Sequence, residues 1–258
     1  MKLEIKKENI IKDLTSWFRY AEPEGGESQW EEGRSAMEFA RYMTSSEGQL
    51  PTEIQKYLSS IGFDKEDYLC MPEEVTSYDD YDLGNGSGRH HDGLLVSDHH
   101  IIGIEAKVSE SFDNSVSKKM EAAKKNSDGG KNMRKRIFNS LKMIKEDFDD
   151  NSLESVGDLM YQLISGMVGT IIEANKRKKD KAVFLIIEFS GDVKKEKSYA
   201  NNVRRNHESY DYFLRFLGLN DKNDIDRYII TSGGKLRVWI HKLSIEVHRK
   251  NYQYNQTT

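Results

Sequence analysis

The chain has 258 residues, of which 36% are hydrophobic and 32% charged, with a formal net charge of −4 and one cysteine, Cys70. That length can bury a sizeable core. The lone cysteine excludes an intrachain disulfide framework and points to a reducing compartment. No apolar run approaches the ~18–20 residues that cross a bilayer. The N-terminal "MKLEIKKENIIKDL" lacks the apolar stretch of a secretion signal, so the expected setting is cytoplasmic, without membrane contact.

In chain order, "SQWEEGRSAMEFARYMTS" (28–45) carries Trp30, Ala36, Phe39, Ala40 and Met43 near helical spacing and predicts a helix. "PTEIQKYLSSIG" (51–62) predicts a second, opened by Pro51 and stopped by Gly62. All three prolines, Pro23, Pro51 and Pro72, punctuate this N-terminal part. An acidic, tyrosine-rich stretch then runs into "LGNGSG" (83–88), a loop by composition. "HHDGLLVSDHHIIGIEAKV" (90–108) predicts a hairpin of two apolar strands. Two basic helices follow at about 115–126 and 131–147, then a long apolar helix at 153–178. "KAVFLIIEF" (181–189) is a buried strand, "YANNVRRNHESYDYFLRFLG" (199–218) an amphipathic helix, and "DRYIIT" and "LRVWIHKLSIEVHR" are final strands. The order predicts one α/β (α+β) domain spanning 1–258, with a central mixed sheet flanked by helices.

The hairpin carries the chemistry. With Asp98 and His99 as a two-residue turn, paired positions sum to 197, so Val96 faces Ile101, Leu94 faces Gly103 and Asp92 faces Glu105. Opposed carboxylates repel, and a hard divalent cation such as Mg²⁺, with Mn²⁺ as a substitute, relieves that repulsion. Ile101, Gly103, Glu105 and Lys107 share one face, while the apolar Ile102, Ile104, Ala106 and Val108 line the other. Small Gly103 is expected to leave space beside the charges. Two carboxylates and an ammonium on one face suit metal-assisted phosphodiester hydrolysis. Asp92 and Glu105 are then metal ligands, and Lys107 orients the nucleophile or stabilises developing charge.

Asp92, twelve intervening residues and then Glu105-Ala106-Lys107 resembles the PD-(D/E)XK nuclease superfamily, with His91 standing where its proline would be. The resemblance implies a restriction-endonuclease-like α-β-β-β-α-β core over about 30–190, with the helix and strands of 199–250 as an extension, and a metal-dependent nuclease, with DNA as the first substrate. Restriction, phage defence or repair would be the setting. It further implies an acidic ligand on the helix before the hairpin, for which Glu38 in "GRSAMEFA" is the candidate, against a plain surface glutamate. A glutamine on the helix after the lysine strand matches Gln162 in "MYQLISG", against a capping or packing role. "YQLISGMVGTIIEA" followed by "KAVFLIIEF" is similar to a little-characterised bacterial branch of the superfamily. The alternative function is a non-catalytic DNA-binding or assembly module on the same fold. A homodimer or a partner protein stays open, since many nucleases of this size cut both strands as dimers.

Ten Lys or Arg residues and two acidic ones lie between Ser117 and Lys145. Lys118, Lys119, Lys131, Arg134 and Arg136 there, with Arg204 and Arg205 further on, are the candidate nucleic-acid contacts; a solvated helix face is the alternative. Tyr199, Tyr210, Tyr212, Phe213 and Phe216 interleave with Arg204, Arg205 and Arg215 as a stacking stripe or, more simply, a helix core face. The four hairpin histidines offer a transition-metal rival, but the register separates His90 and His91 from His99 and His100. The latter two are expected as exposed turn residues and Cys70 as an inert, buried thiol.

Overall fold

The computed structural model describes residues 1–64, 66–84, 88–108, 110–193, 199–220, 226–231 and 233–248. Parts of the predicted 83–88 loop and of the last strand lie outside these residues. Seven strands form one sheet: β1 (Leu3–Ile5), β2 (Tyr68–Thr76), β3 (Arg89–Val96), β4 (His100–Lys107), β5 (Lys181–Gly191), β6 (Tyr228–Ile230) and β7 (Arg237–Val247), in spatial order β1-β2-β3-β4-β5-β7-β6. β2, β3 and β4 run antiparallel in succession, and β5 and β7 continue parallel to β4. The mixed sheet flanked by helices agrees with the expectation.

Helices cover both faces. α1 (Leu14–Tyr20), α2 (Ser35–Thr44) and α3 (Thr52–Ser60) lie on one. There Trp17, Phe39, Ile54 and Leu58 pack with Leu95, Ile104, Val183 and Leu185. The other face carries α4 (Val116–Ala123), α5 (Lys131–Ile144), α6 (Tyr161–Lys176) and α7 (Tyr199–Leu217). Leu141, Ile164, Met167 and Phe213 of these helices pack with Leu94, Ile101, Phe184 and Ile186. β4 and β5 are therefore covered twice, which is why both read as near-continuous apolar runs. Among the described residues no helix is long and apolar enough to cross a membrane.

Four expectations need correction. The helix predicted over 28–45 is shortened to α2, because the chain turns at Gly33, whose φ is 82°, after a 3-10 turn at Gly26–Gln29. The acidic stretch begins with a strand, β2, and Pro72 sits inside it rather than between elements. It follows Cys70, the last position paired with β1, so its missing N–H breaks no ladder on that side. The helix predicted over 153–178 starts at Tyr161, after 3-10 turns at Asp150–Ser152 and Glu154–Val156. The C-terminal strands are no appendage, since β7 pairs with β5 from Lys181↔Arg237 to Gly191↔Val247 within the one sheet.

α6 crosses the sheet closely because two of its sheet-facing positions are glycine. A Cβ on Gly166 would lie 2.6 Å from the Phe184 ring, and one on Gly169 would lie 2.8 Å from Arg89 Cγ and His91 Nε2. Gly166→Ala forces that overlap in a packed core and is expected to destabilise the protein by about 1–3 kcal/mol, read as a lower urea midpoint at unchanged m-value.

Candidate active site

The predicted hairpin register holds over its upper part, with Gly93↔Ile104, Leu94↔Gly103 and Val96↔Ile101 paired. There the β3–β4 ladder stops. Below it β3 continues with β2 alone, to Thr76↔Arg89, while β4 continues with β5, to Lys107↔Glu188. The sheet forks, and Asp92 and Glu105 flank the opening instead of forming the predicted cross-strand pair. Asp92 bridges the fork through its side chain, Oδ2 accepting the Ala106 N–H at 2.6 Å.

The pleat is also interrupted at this level. Positions 91 and 93, two apart, should share a face. Instead a side chain at Gly93 would meet Phe39 of α2, whereas His91 lies against Gly103 and against Gly169 of α6. On β2, Glu73 falls opposite Asp92 between the pairs Pro72↔Gly93 and Glu74↔His91, and its φ is 48°. A left-handed glutamate inside a strand costs of order 1 kcal/mol, and such strain collects at functional sites.

A cavity of about 280 Å³ opens at the fork. Asp92, Glu105, Lys107 and Gln162 line it, together with Glu73, Arg89, His90, Glu110 and residues of 24–36. The structure thus brings together four of the five predicted catalytic residues. Glu105 is 1% exposed; its Oε1 accepts from Lys107 Nζ at 2.7 Å and its Oε2 from Arg89 Nη2. Burial disfavours the charged Lys107 and Arg89, but Glu105 and Asp92 outweigh it and hold both cations above their ordinary range. Burial and the charge of Glu105 push Asp92 up to about 7. Burial and Asp92 likewise push Glu73 up to about 9. Glu110 is different: burial opposes its charge, but the N–H groups of Val108 (2.9 Å) and Ser35 (3.1 Å) bring it below the carboxylate range.

Glu38 is not at the cavity. Its buried carboxylate accepts from Gly33 N at 2.8 Å and from Arg41 at 3.0 Å, closing the turn before α2, so it is neither a surface residue nor a cavity ligand. Gln162 combines two roles, lining the cavity while its Oε1 accepts the Asp113 N–H at 3.2 Å. Gly103 leaves no space for ligand, because Thr170 Oγ1 of α6 occupies the place of its missing side chain, with His91 beside it.

The histidines separate as the register requires, yet not all as expected. His91 is fully buried with Nε2 3.0 Å from Thr76 Oγ1, and burial, then Arg89, lowers its pKa to about 3. His100 is buried rather than exposed, stacked on Phe63 at 3.9 Å between ring centres. His99 is exposed and meets Glu66 at 2.5 Å. Cys70 is buried, and burial raises its thiol pKa.

The candidate nucleic-acid contacts divide. Lys118 of α4 and Arg205 of α7 line a second cleft of about 680 Å³ with residues 111–115, beside the Asp113 that Gln162 holds. Lys119 pairs with Asp113 and stands 5.5 Å over the Tyr161 ring. On α5, Lys131 is exposed, Arg134 pairs with Asp150 at 2.8 Å, and Arg136 donates to the Leu83 carbonyl at 2.8 Å. Arg204 pairs loosely with Glu208 at 3.9 Å. Within the aromatic stripe Tyr210 and Phe213 are buried, so a helix core face is what α7 presents there.

Sequence reasoning missed Glu73, Arg89 and Glu110. Arg89 lay three residues before Asp92, overshadowed by the histidines between them. Among the described residues no three His, Cys, Asp or Glu side chains are arranged to hold a metal ion as they stand. The donor chemistry nevertheless fits a hard divalent cation. Asp92 and Glu105 supply carboxylate oxygens to one cavity, and their mutual repulsion already raises Asp92.

A family model described as a domain of unknown function (DUF6946) matches residues 10–244, and the chain belongs to that family. No curated protein and no solved structure matches it.

Proposed function

We propose that the chain is a metal-dependent nuclease of PD-(D/E)XK type that hydrolyses phosphodiester bonds, foremost in DNA. Its setting would be cytoplasmic restriction, phage defence or repair. One observation carries this reading: Asp92, Glu105 and Lys107 line a single cavity at the fork of the sheet. The chain order α3-β2-β3-β4-α4-α5-α6-β5 supports it, being the α-β-β-β-α-β order that the resemblance implies with two further helices, α4 and α5, inserted after β4.

Asp92 and Glu105 would hold the cation. When bound, Mg²⁺ or Mn²⁺ supplies Lewis-acid polarisation of the phosphodiester and makes water a stronger nucleophile. Lys107, 7% exposed and fixed on Glu105, offers an ammonium to charge developing on phosphate. Gln162 joins the cavity to the second cleft, where Lys118 and Arg205 would take backbone phosphates. A second reading, a non-catalytic DNA-binding or assembly module, is favoured by one feature: Glu105 already has a guanidinium and an ammonium as partners.

The test incubates plasmid and circular single-stranded DNA with Mg²⁺ or Mn²⁺, using wild type, Asp92→Ala and Lys107→Ala. Cleavage by wild type that falls at least about 100-fold in both folded variants is the expected result. Equal cleavage by all three would displace the site. DNA retention without cleavage by wild type would favour the second reading.

A further inference from the structure

Arg89 has no assigned part in the proposed chemistry, yet it makes a direct contact with Glu105. It is the first residue of β3, paired with Thr76 of β2, in the segment that has left β4. Glu105 sits on doubly covered β4, opposite Ile186 of β5. At this level the two arms of the fork are joined by side chains, Asp92 to the Ala106 N–H and Arg89 to Glu105. The stem of Arg89 is fixed against α6, where Gly169 makes room for it, while its side chain, 12% exposed, lines the cavity. Its buried Nε has no hydrogen-bond partner among the described residues, so the guanidinium is held by less than its full set of bonds.

We infer that Arg89 is a positioning residue that holds Glu105 in the place of a divalent cation, and so sets how much cation the site requires. The inference rests on the metal site proposed above. Glu105 already carries Lys107, so the Arg89 guanidinium is a second cation on the same carboxylate and leaves Asp92 without an ion-pair partner of its own among the described residues. A divalent ion held by Asp92 and Glu105 would neutralise Asp92 as well and would displace the guanidinium from Glu105. Arg89 opposes entry twice, by competing for Glu105 and by repelling the cation. It also keeps Glu105 aimed at the fork while the cation is absent.

The experiment titrates Mn²⁺ alone into wild type, Arg89→Gln and Arg89→Lys by calorimetry at fixed ionic strength, with circular dichroism and thermal melts to follow the fold. Arg89→Gln should bind Mn²⁺ about tenfold more tightly. Arg89→Lys, which keeps the charge but not the planar fork, should bind about two- to threefold more tightly. A merely structural arginine predicts the opposite, because loosened ligands weaken binding. If Arg89→Gln does not fold, Arg89→Lys decides alone. Unchanged or weaker Mn²⁺ binding in the folded variants, with wild type binding, overturns this role and leaves the metal site standing. No Mn²⁺ binding by any of the three overturns both.

Discussion

Asp92→Asn is expected to make the protein more stable while abolishing metal-dependent cleavage. The carboxylate lines a cavity that also holds Glu73, Glu105 and Glu110, and burial and Glu105 push it up to about 7. Its unfolded value is near 3.9, so the native state binds the proton more tightly. The contribution of Asp92 to stability is therefore fully present below about pH 4 and is lost as pH rises to about 7, where Asp92 must ionise beside Glu105. Asparagine retains an oxygen for the Ala106 N–H, now accepted at 2.6 Å, and carries no charge to be repelled. A gain of about 1 kcal/mol is expected at pH 8 and none at pH 4, measured by urea titration at both. Cleavage with Mg²⁺ should fall by at least about 10³-fold. A variant that loses stability at pH 8 would show that Asp92 is fully compensated by Lys107 and Arg89.

That opposition between stability and chemistry bears on how much could be read from the chain. The apolar runs of β3 and β4 and the polar two-residue turn between them are local, so the register of Leu94 with Gly103 and Val96 with Ile101 was legible. The departure at Asp92 was not. It depends on the left-handed backbone of Glu73 on another strand and on a side chain replacing a ladder bond, neither of which leaves a mark in "RHHDG". β2 was hidden because Pro72 and two adjacent glutamates argue against a strand when its neighbours are unknown. In the sequence Gly103 suggests space for ligand, but the space belongs to Thr170, since a glycine announces close approach without naming what approaches. His100 looked like a turn residue because its partner, Phe63, comes from far earlier in the chain. Glu38 lay close enough in sequence to Gly33 and Arg41 for its capping bonds to be found, but its acidity on the helix before the hairpin suggested a ligand instead.

Glu105→Gln should act on stability in the sense opposite to Asp92→Asn, although both remove one carboxylate from the same cavity. The difference lies in who depends on the charge. Asp92 has the Ala106 N–H as its hydrogen-bond donor, whereas Glu105 is the common partner of Lys107 and Arg89, both well buried. Burial alone pulls both cations toward deprotonation, and the charge of Glu105 does most to hold each of them protonated. Removing it leaves two buried positive charges facing each other with Asp92 as the nearest acid. Breaking a buried ion pair from one side costs about 3–5 kcal/mol, and that loss is expected in urea at pH 7 for Glu105→Gln. Adding Arg89→Gln removes one of the orphaned cations, so the double variant should recover part of the loss, with a coupling of about 1–3 kcal/mol in the cycle. Additive single and double variants would mean that the Arg89–Glu105 contact holds nothing together. Activity supplies the second half of the test: the double variant, however stable, should remain inactive, because charge balance is restored without restoring a ligand for the cation.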